Sequence, residues 1–169
     1  MLSVYVRLQE VYVPRIEYVT VANHAEALNG LLYLQGAGWS EIRVGQQPDG
    51  QPGVAHFGIG VSLLVGWNET NHRFPFEVQL IHEDGGEPLI RAQGQIEQGR
   101  PPGTPVGADL RSTLAINVET QFRRVGGYEV RAAVGDVVSS VSFRVSELGR
   151  PLLGPAGGPG SINLPPMQP

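Results

Sequence analysis

The chain has 169 residues, of which 41% are hydrophobic and 17% charged, with 23 Gly, 14 Pro and no Cys. A net charge of −4 leaves no basic footprint for nucleic acid or an anionic membrane, and the lack of cysteine excludes disulfides, thiolate catalysis and cysteine-held metal clusters. This balance predicts one soluble domain, rich in tight turns and large enough to bury a core.

The opening stretch carries Arg7, Glu10 and Arg15 and lacks the pattern of a secretory leader. No run is long and apolar enough to span a bilayer. The expected location is therefore cytoplasmic. Leu2, Val4, Val6 and Leu8 alternate as a first edge strand would, and Val11–Val13 stops at Pro14, which cannot donate to a ladder. Residues 1–14 read as an N-terminal extension or edge strand. From Arg15 to Ala22 the chain alternates, placing Ile16, Tyr18 and Thr20 on one face and Glu17, Val19 and Val21 on the other. Asn23 suits a helix N-cap and Asn29 or Gly30 a C-cap, so Asn23–Gly30 predicts one short helix. Leu31–Gln35 is a strand, Gly36–Gly38 a bend, and Trp39–Val44 a resumed strand.

Gly45–Gly53 is a loop. His56–Trp67 follows as a long strand with Ile59, Val61, Leu63, Val65 and Trp67 on one face. Its other face, Gly58, Gly60, Ser62 and Gly66, is small enough to predict close approach by another segment. Phe74–Ile81 and Leu89–Ile96 form a hairpin around Asp84–Glu87. Pairing His82 with Ile90 would set Leu80 against Ala92, Val78 against Gly94 and Phe76 against Ile96. Gln98–Ala108 is irregular, and Leu110–Val118 alternates as a half-buried strand. Glu119–Gly126 is a link.

The best-specified stretch is Gly127–Val145. Gly135-Asp136 closes a two-residue turn, so Val134 faces Val137 and Tyr128 falls opposite Phe143, Val130 opposite Val141 and Ala132 opposite Ser139. Glu129, Arg131, Ser140, Ser142 and Arg144 take the wet face. After Val145 periodicity ends, and residues 149–169 form a Pro/Gly-rich tail. The tail reads first as a flexible or polyproline-II segment; its Leu152, Leu153, Ile162 and Leu164 are candidate contact residues, and Pro165-Pro166-Met167-Gln168-Pro169 has, as the lesser reading, the pattern of a groove-binding end. Residues 15–148 are thus the domain. Short strands with one-sided apolar faces predict an all-β fold, a two-sheet antiparallel β-sandwich of immunoglobulin-like or jelly-roll-like type with at most one short helix.

Chemistry-bearing patterns are sparse. His24 with Glu26, or His82 with Glu83 and Asp84, are the histidine groupings, and neither has the spacing of a known metal motif. His56 and His72 stand alone. Ser62 lies mid-strand without a nucleophile elbow. Glu77, Asp109, Glu119, Glu129 and Asp136 offer carboxylate pairs, but spacing selects none for a hydrolase. Gly58-Ile59-Gly60 and Gly103–Gly107 lack the context of a phosphate cradle, and Arg123-Arg124 is the one basic pair in a loop. Trp39 and Trp67 read first as core packing, and they are the candidates for stacking on a ligand, beside loop 45–53. No cofactor and no metal is expected.

Asn23-His24-Ala25-Glu26, Gly30-Leu31-Leu32-Tyr33-Leu34 and Gly36-Ala37-Gly38-Trp39 resemble the opening of a family of uncharacterised bacterial β-sandwich proteins, frequent in actinobacteria. The Phe76–Ile96 hairpin, Pro102-Gly103-Thr104-Pro105 and Gly127-Tyr128-Glu129 are similar too. The resemblance spans about residues 15–145 and implies a fold, with no activity to carry over. The functional expectation is a non-enzymatic module acting through protein contacts, as a homo-oligomer or with a protein partner. The alternative is a small-ligand or carbohydrate-binding sandwich, and a hydrolase or metal enzyme ranks below it.

Overall fold

The computed structural model describes residues 13–148. The predicted strand at residues 2–8 and the four tail residues Leu152, Leu153, Ile162 and Leu164 lie outside them. The described chain is all-β, with ten strands and no α-helix. In order these are β1 (Arg15–Ala22), β2 (His24–Leu28), β3 (Leu31–Gln35), β4 (Glu41–Val44), β5 (Val54–Val65), β6 (Arg73–His82), β7 (Ile90–Glu97), β8 (Leu110–Gln121), β9 (Gly126–Val134) and β10 (Val137–Glu147).

Three sheets form: β1-β5-β8, β4-β10-β9-β6-β7 and the separate pair β2-β3. The first two face each other across a core drawn from both, including Val21, Phe57, Ile59, Val61 and Leu63 from one side and Val78, Leu80, Val130 and Val134 from the other. The expected sandwich is purely antiparallel and two-layered. Here β4 joins β10 in parallel, and the β2-β3 hairpin adds a layer outside β5.

The β9-β10 hairpin has the register that its turn dictates. Tyr128 pairs with Phe143, Val130 with Val141 and Ala132 with Ser139. Gly135 (φ 54) leads the two-residue turn, the place where a glycine suits a II′ connection. Tyr128 and Phe143 are buried and stack with ring centroids 6.1 Å apart. Phe122, expected in a link, is fully buried 4.8 Å from the Tyr128 ring.

Four expectations need correction. The segment after Asn23 is strand β2, because Asn29 (φ 53) and Gly30 (φ 75) form a tight left-handed turn that folds it back on β3. In the β6-β7 hairpin the register is Leu80↔Ile90, Val78↔Ala92, Phe76↔Gly94 and Phe74↔Ile96, two residues from expectation. His82 is paired with Tyr128 of β9 instead, and Glu83 N–H donates to the Gly127 carbonyl, so the loop to β7 is longer. A shift of two keeps each side chain on its face. In β1 the pairing jumps from Ile16↔Leu63 to Tyr18↔Ser62, making Glu17 a bulge. Ile16 therefore packs on the core while Tyr18 points outward, exposed. Finally, β5 ends at Val65, and Trp67 opens a 3₁₀ turn, Trp67–Glu69, off the strand face.

Candidate functional site

The outer face of β1-β5-β8 is where this fold departs from a plain pair of sheets. Gly58, Gly60 and Ser62 are buried there, as their small size predicts. The β2-β3 hairpin lies over the glycines. A β-carbon on Gly60 would meet the Leu34 side chain at 2.8 Å. Asn117 of β8 fastens the hairpin: its Nδ2 donates to the Ala25 carbonyl at 2.9 Å, and its Oδ1 accepts the Ala25 N–H at 3.1 Å. An amide side chain thus stands in for a strand partner.

The inward face of the hairpin carries Ala25, Leu32 and Leu34. The outward face carries His24, Glu26 and Leu28 paired with Gln35, Tyr33 and Leu31. Leu31 is 59% exposed, Leu28 51% and Tyr33 49%. Three large apolar side chains therefore share one small, fastened platform. The sequence signal for this face is Asn29-Gly30, a dipeptide that closes hairpins.

Beyond the hairpin on the same sheet face, Glu17 accepts from Ser62 Oγ at 2.8 Å and from Arg111 through Nε at 2.8 Å and Nη2 at 2.6 Å. The Arg111 and Ser62 hydrogen bonds, in that order, hold its carboxyl at about 2 against partial burial. A carboxylate so acidic is a poor base for the Ser62 hydroxyl. No sequence spacing marks this network, since a bulge places Glu17.

Of the clefts elsewhere, two border residues that the sequence singles out. One, of about 310 Å³, is lined by His82, Glu87, Leu89, Arg123, Arg124 and Tyr128 among others. His82 Nδ1 accepts from Asp84 N–H at 3.1 Å and from Arg124 at 2.9 Å, which places the ring proton on Nε2. Nε2 is buried without a partner against Gly126. Arg124 also pairs with Asp84 at 3.2 Å, while Glu83 accepts the Gly127 N–H at 3.0 Å. Among the described residues no group of three or more His, Asp or Glu is placed to hold a metal ion. The other cleft, about 520 Å³ and open, is bordered by Val13, Arg15, Leu64, Trp67, Glu69 and Asp109 among others. Glu69 accepts the Gly66 N–H at 2.7 Å, and Asp109 pairs with Arg15 at 3.1 Å.

The two tryptophans are not brought together. Trp39 packs edge-on against Phe143 at 5.2 Å and Phe57 at 6.0 Å and lines a shallow groove by Gly36–Gly38. Trp67 carries the Arg100 guanidinium 3.7 Å over its ring, and Arg100 also donates to the Trp67 carbonyl and to Thr70 Oγ1. Loop 45–53 lines neither cleft. Of the proposed carboxylates, Glu77 and Glu129 stand on the outer face of the five-stranded sheet, Asp109 and Glu119 at opposite ends of β8, and Asp136 in a turn.

The comparison by family finds a match over residues 17–146, to the family described as Family of unknown function (DUF6941). The chain belongs to this family. The DUF6941 match covers all ten strands apart from Arg15 and Ile16 of β1 and Glu147 of β10, so the β2-β3 platform and the His82 cleft lie within the family unit, whereas Val13 and Arg15 of the open cleft lie outside it. No curated protein matches the DUF6941 chain in sequence. No helix among the described residues is long and apolar enough to cross a membrane.

Proposed function

We propose that this chain is a non-enzymatic module that works through protein contacts, with the outward face of the β2-β3 hairpin as a contact surface. The observation that carries the reading is Leu28, Leu31 and Tyr33 standing together in solvent on a hairpin that Asn117 fastens down. Clustered exposed apolar side chains on a rigid support are what a protein partner covers. A bacterial cytoplasm is the proposed setting, on the family resemblance and the acidic charge balance.

A photo-crosslinking residue placed at Tyr33 in the native host tests this. The reading expects discrete adducts at Tyr33 that Leu28→Asp and Leu31→Asp abolish while the fold survives by circular dichroism. Adducts no different from those at Val106, an exposed loop position, would count against it.

The second reading is a small-ligand module using the open cleft beside Trp67, where an indole borders about 520 Å³. Trp67 emission against a panel of sugars and small acids, in a Trp39→Phe background, tests it. An indole that no compound shifts removes it.

A further inference from the structure

Strand β8 has one neighbour, β5, and among the described residues nothing pairs with its other edge. The edge is twelve residues long. It runs against β5 without a register break. Open edges in monomeric proteins are normally guarded by Pro, Lys, a bulge or an inward charge. Lysine is absent from the whole chain. Between Arg111 and Glu119, residues 112–118 (STLAINV) carry no charge, no Pro and no Gly. Leu114 and Ile116 lean on the core but remain only half-buried.

We infer that β8 pairs antiparallel with β8 of a second copy of this chain, about a two-fold axis at Ala115, joining the two three-stranded sheets into one. The inference extends the protein-contact reading to another surface and names its partner. Pairing that keeps each face on its own side requires like parity across the axis. Only Ala115 or Ile116 then lies near the centre of the strand. Charge selects Ala115, because that register sets Arg111 opposite the partner's Glu119, twice by symmetry. On the core side it sets Leu114 against the partner's Ile116. Arg111 binds Glu17 through Nε and Nη2, which leaves Nη1 without a hydrogen bond among the described residues. Glu119 has as its neighbour His56, at 3.6 Å and well exposed. The other long edges, β1 and β7, are shorter at eight residues each: β1 is broken by the Glu17 bulge and its Val21 carbonyl already accepts the Gly38 N–H, and β7 holds Gly94 mid-strand. The charges of β7 are already matched to its own neighbour β6, Arg91 to Glu77 at 3.0 Å and Glu97 to Arg73 at 2.9 Å.

Sedimentation velocity of the full chain across a wide concentration range, with cysteine variants in this cysteine-free protein, tests the inference. A reversible dimer is expected. Glu119→Arg should weaken it by about tenfold or more, since two exposed ion pairs become repulsive, whereas Glu97→Arg should leave it unchanged. Under mild oxidant Ala115→Cys should form a disulfide-linked dimer, and Thr113→Cys, which faces the partner's Asn117, should not. Circular dichroism confirms that each variant folds. A chain that stays monomeric overturns the inference. So does a dimer that ignores Glu119→Arg and fails to cross-link at residue 115, or one that deletion of residues 1–12 abolishes. A monomer that still gives Tyr33 adducts would leave the hairpin reading standing while this one falls.

Discussion

Gly58 lies directly beneath the backbone of Ala25. A β-carbon built on Gly58 would stand 2.5 Å from the Ala25 nitrogen and 2.7 Å from the His24 carbonyl carbon. Those are main-chain atoms, which cannot swing aside as a side chain does. Gly58→Ala should therefore destabilise the protein by about 1–3 kcal/mol, the usual cost of overpacking. Gly94→Ala is the matched comparison, because a β-carbon there meets nothing within 4 Å. It should be neutral, or stabilising by up to about 1 kcal/mol through the unfolded chain. Urea midpoints of the two variants decide; equal losses would mean that the hairpin is not seated on Gly58.

Asn117 makes the same seat by hydrogen bonds. Both of its contacts go to Ala25, at 2.9 and 3.1 Å. Asn117→Leu keeps the approximate volume and removes both bonds, leaving the Ala25 N–H and carbonyl without that partner. A cost of about 1–3 kcal/mol is expected. The loss should be local: amides of β2 and β3 should exchange faster while those of β9 keep their protection. Uniform acceleration across the protein would show that the hairpin is part of the global fold instead of a fastened layer.

How far these elements can be read from sequence depends on the range of the forces that set them. The β9-β10 register follows from one local fact, a two-residue turn with Gly135 first, and every pair to Val145↔Gly126 follows by counting. The small face of β5 is legible because glycines at alternate strand positions leave a gap that another segment must fill. The hairpin that fills it is harder to see. His-Ala-Glu-Ala-Leu favours helix by intrinsic propensity, and contact with β5 and β8 overrides that preference. The decisive signal is Asn29-Gly30. The β6-β7 register departs from expectation because His82 and Glu83 bond to β9, a strand some forty-five residues further on. Glu17 is set by a bulge and Trp67 by Arg100, thirty-three residues away. Alternation and spacing carry neither.

Core pairing across the β9-β10 hairpin predicts an asymmetric response to truncation. Phe143 is buried among Trp39, Phe57, Phe122 and Tyr128, whereas Val138 on the opposite face of the same strand is 57% exposed. Phe143→Ala should cost about 3–5 kcal/mol. Val138→Ala should stay within about 0.5 kcal/mol. Thermal or urea unfolding separates them. Comparable losses would place the strand one residue out of register, because such a slip exchanges the two faces.

Acid should unfold this protein through its hydrogen-bonded carboxylates, Glu17 first among them. Arg111 and Ser62 hold the Glu17 carboxyl at about 2, against an ordinary value of 4.5. Glu41 is lowered by the Ser146 hydroxyl and then Arg43, Glu77 by the Gln79 amide above all, and Glu129 by Ser140 above all. Between pH 4.5 and 2 the unfolded chain binds a proton at Glu17 that the folded chain does not, so protonation favours unfolding. The stability due to Glu17 is whole above pH 4.5 and is lost as pH falls towards 2. The other three act in the same direction. Urea midpoints taken from neutral pH down through this window should fall steadily. Glu17→Gln should start lower at neutral pH, because a neutral amide cannot accept both Arg111 donors as an ion pair, and should then decline less steeply, since one of the titrating groups is gone. A variant whose midpoint runs parallel to the wild type all the way down would show that the Arg111 and Ser62 bonds do not form in solution.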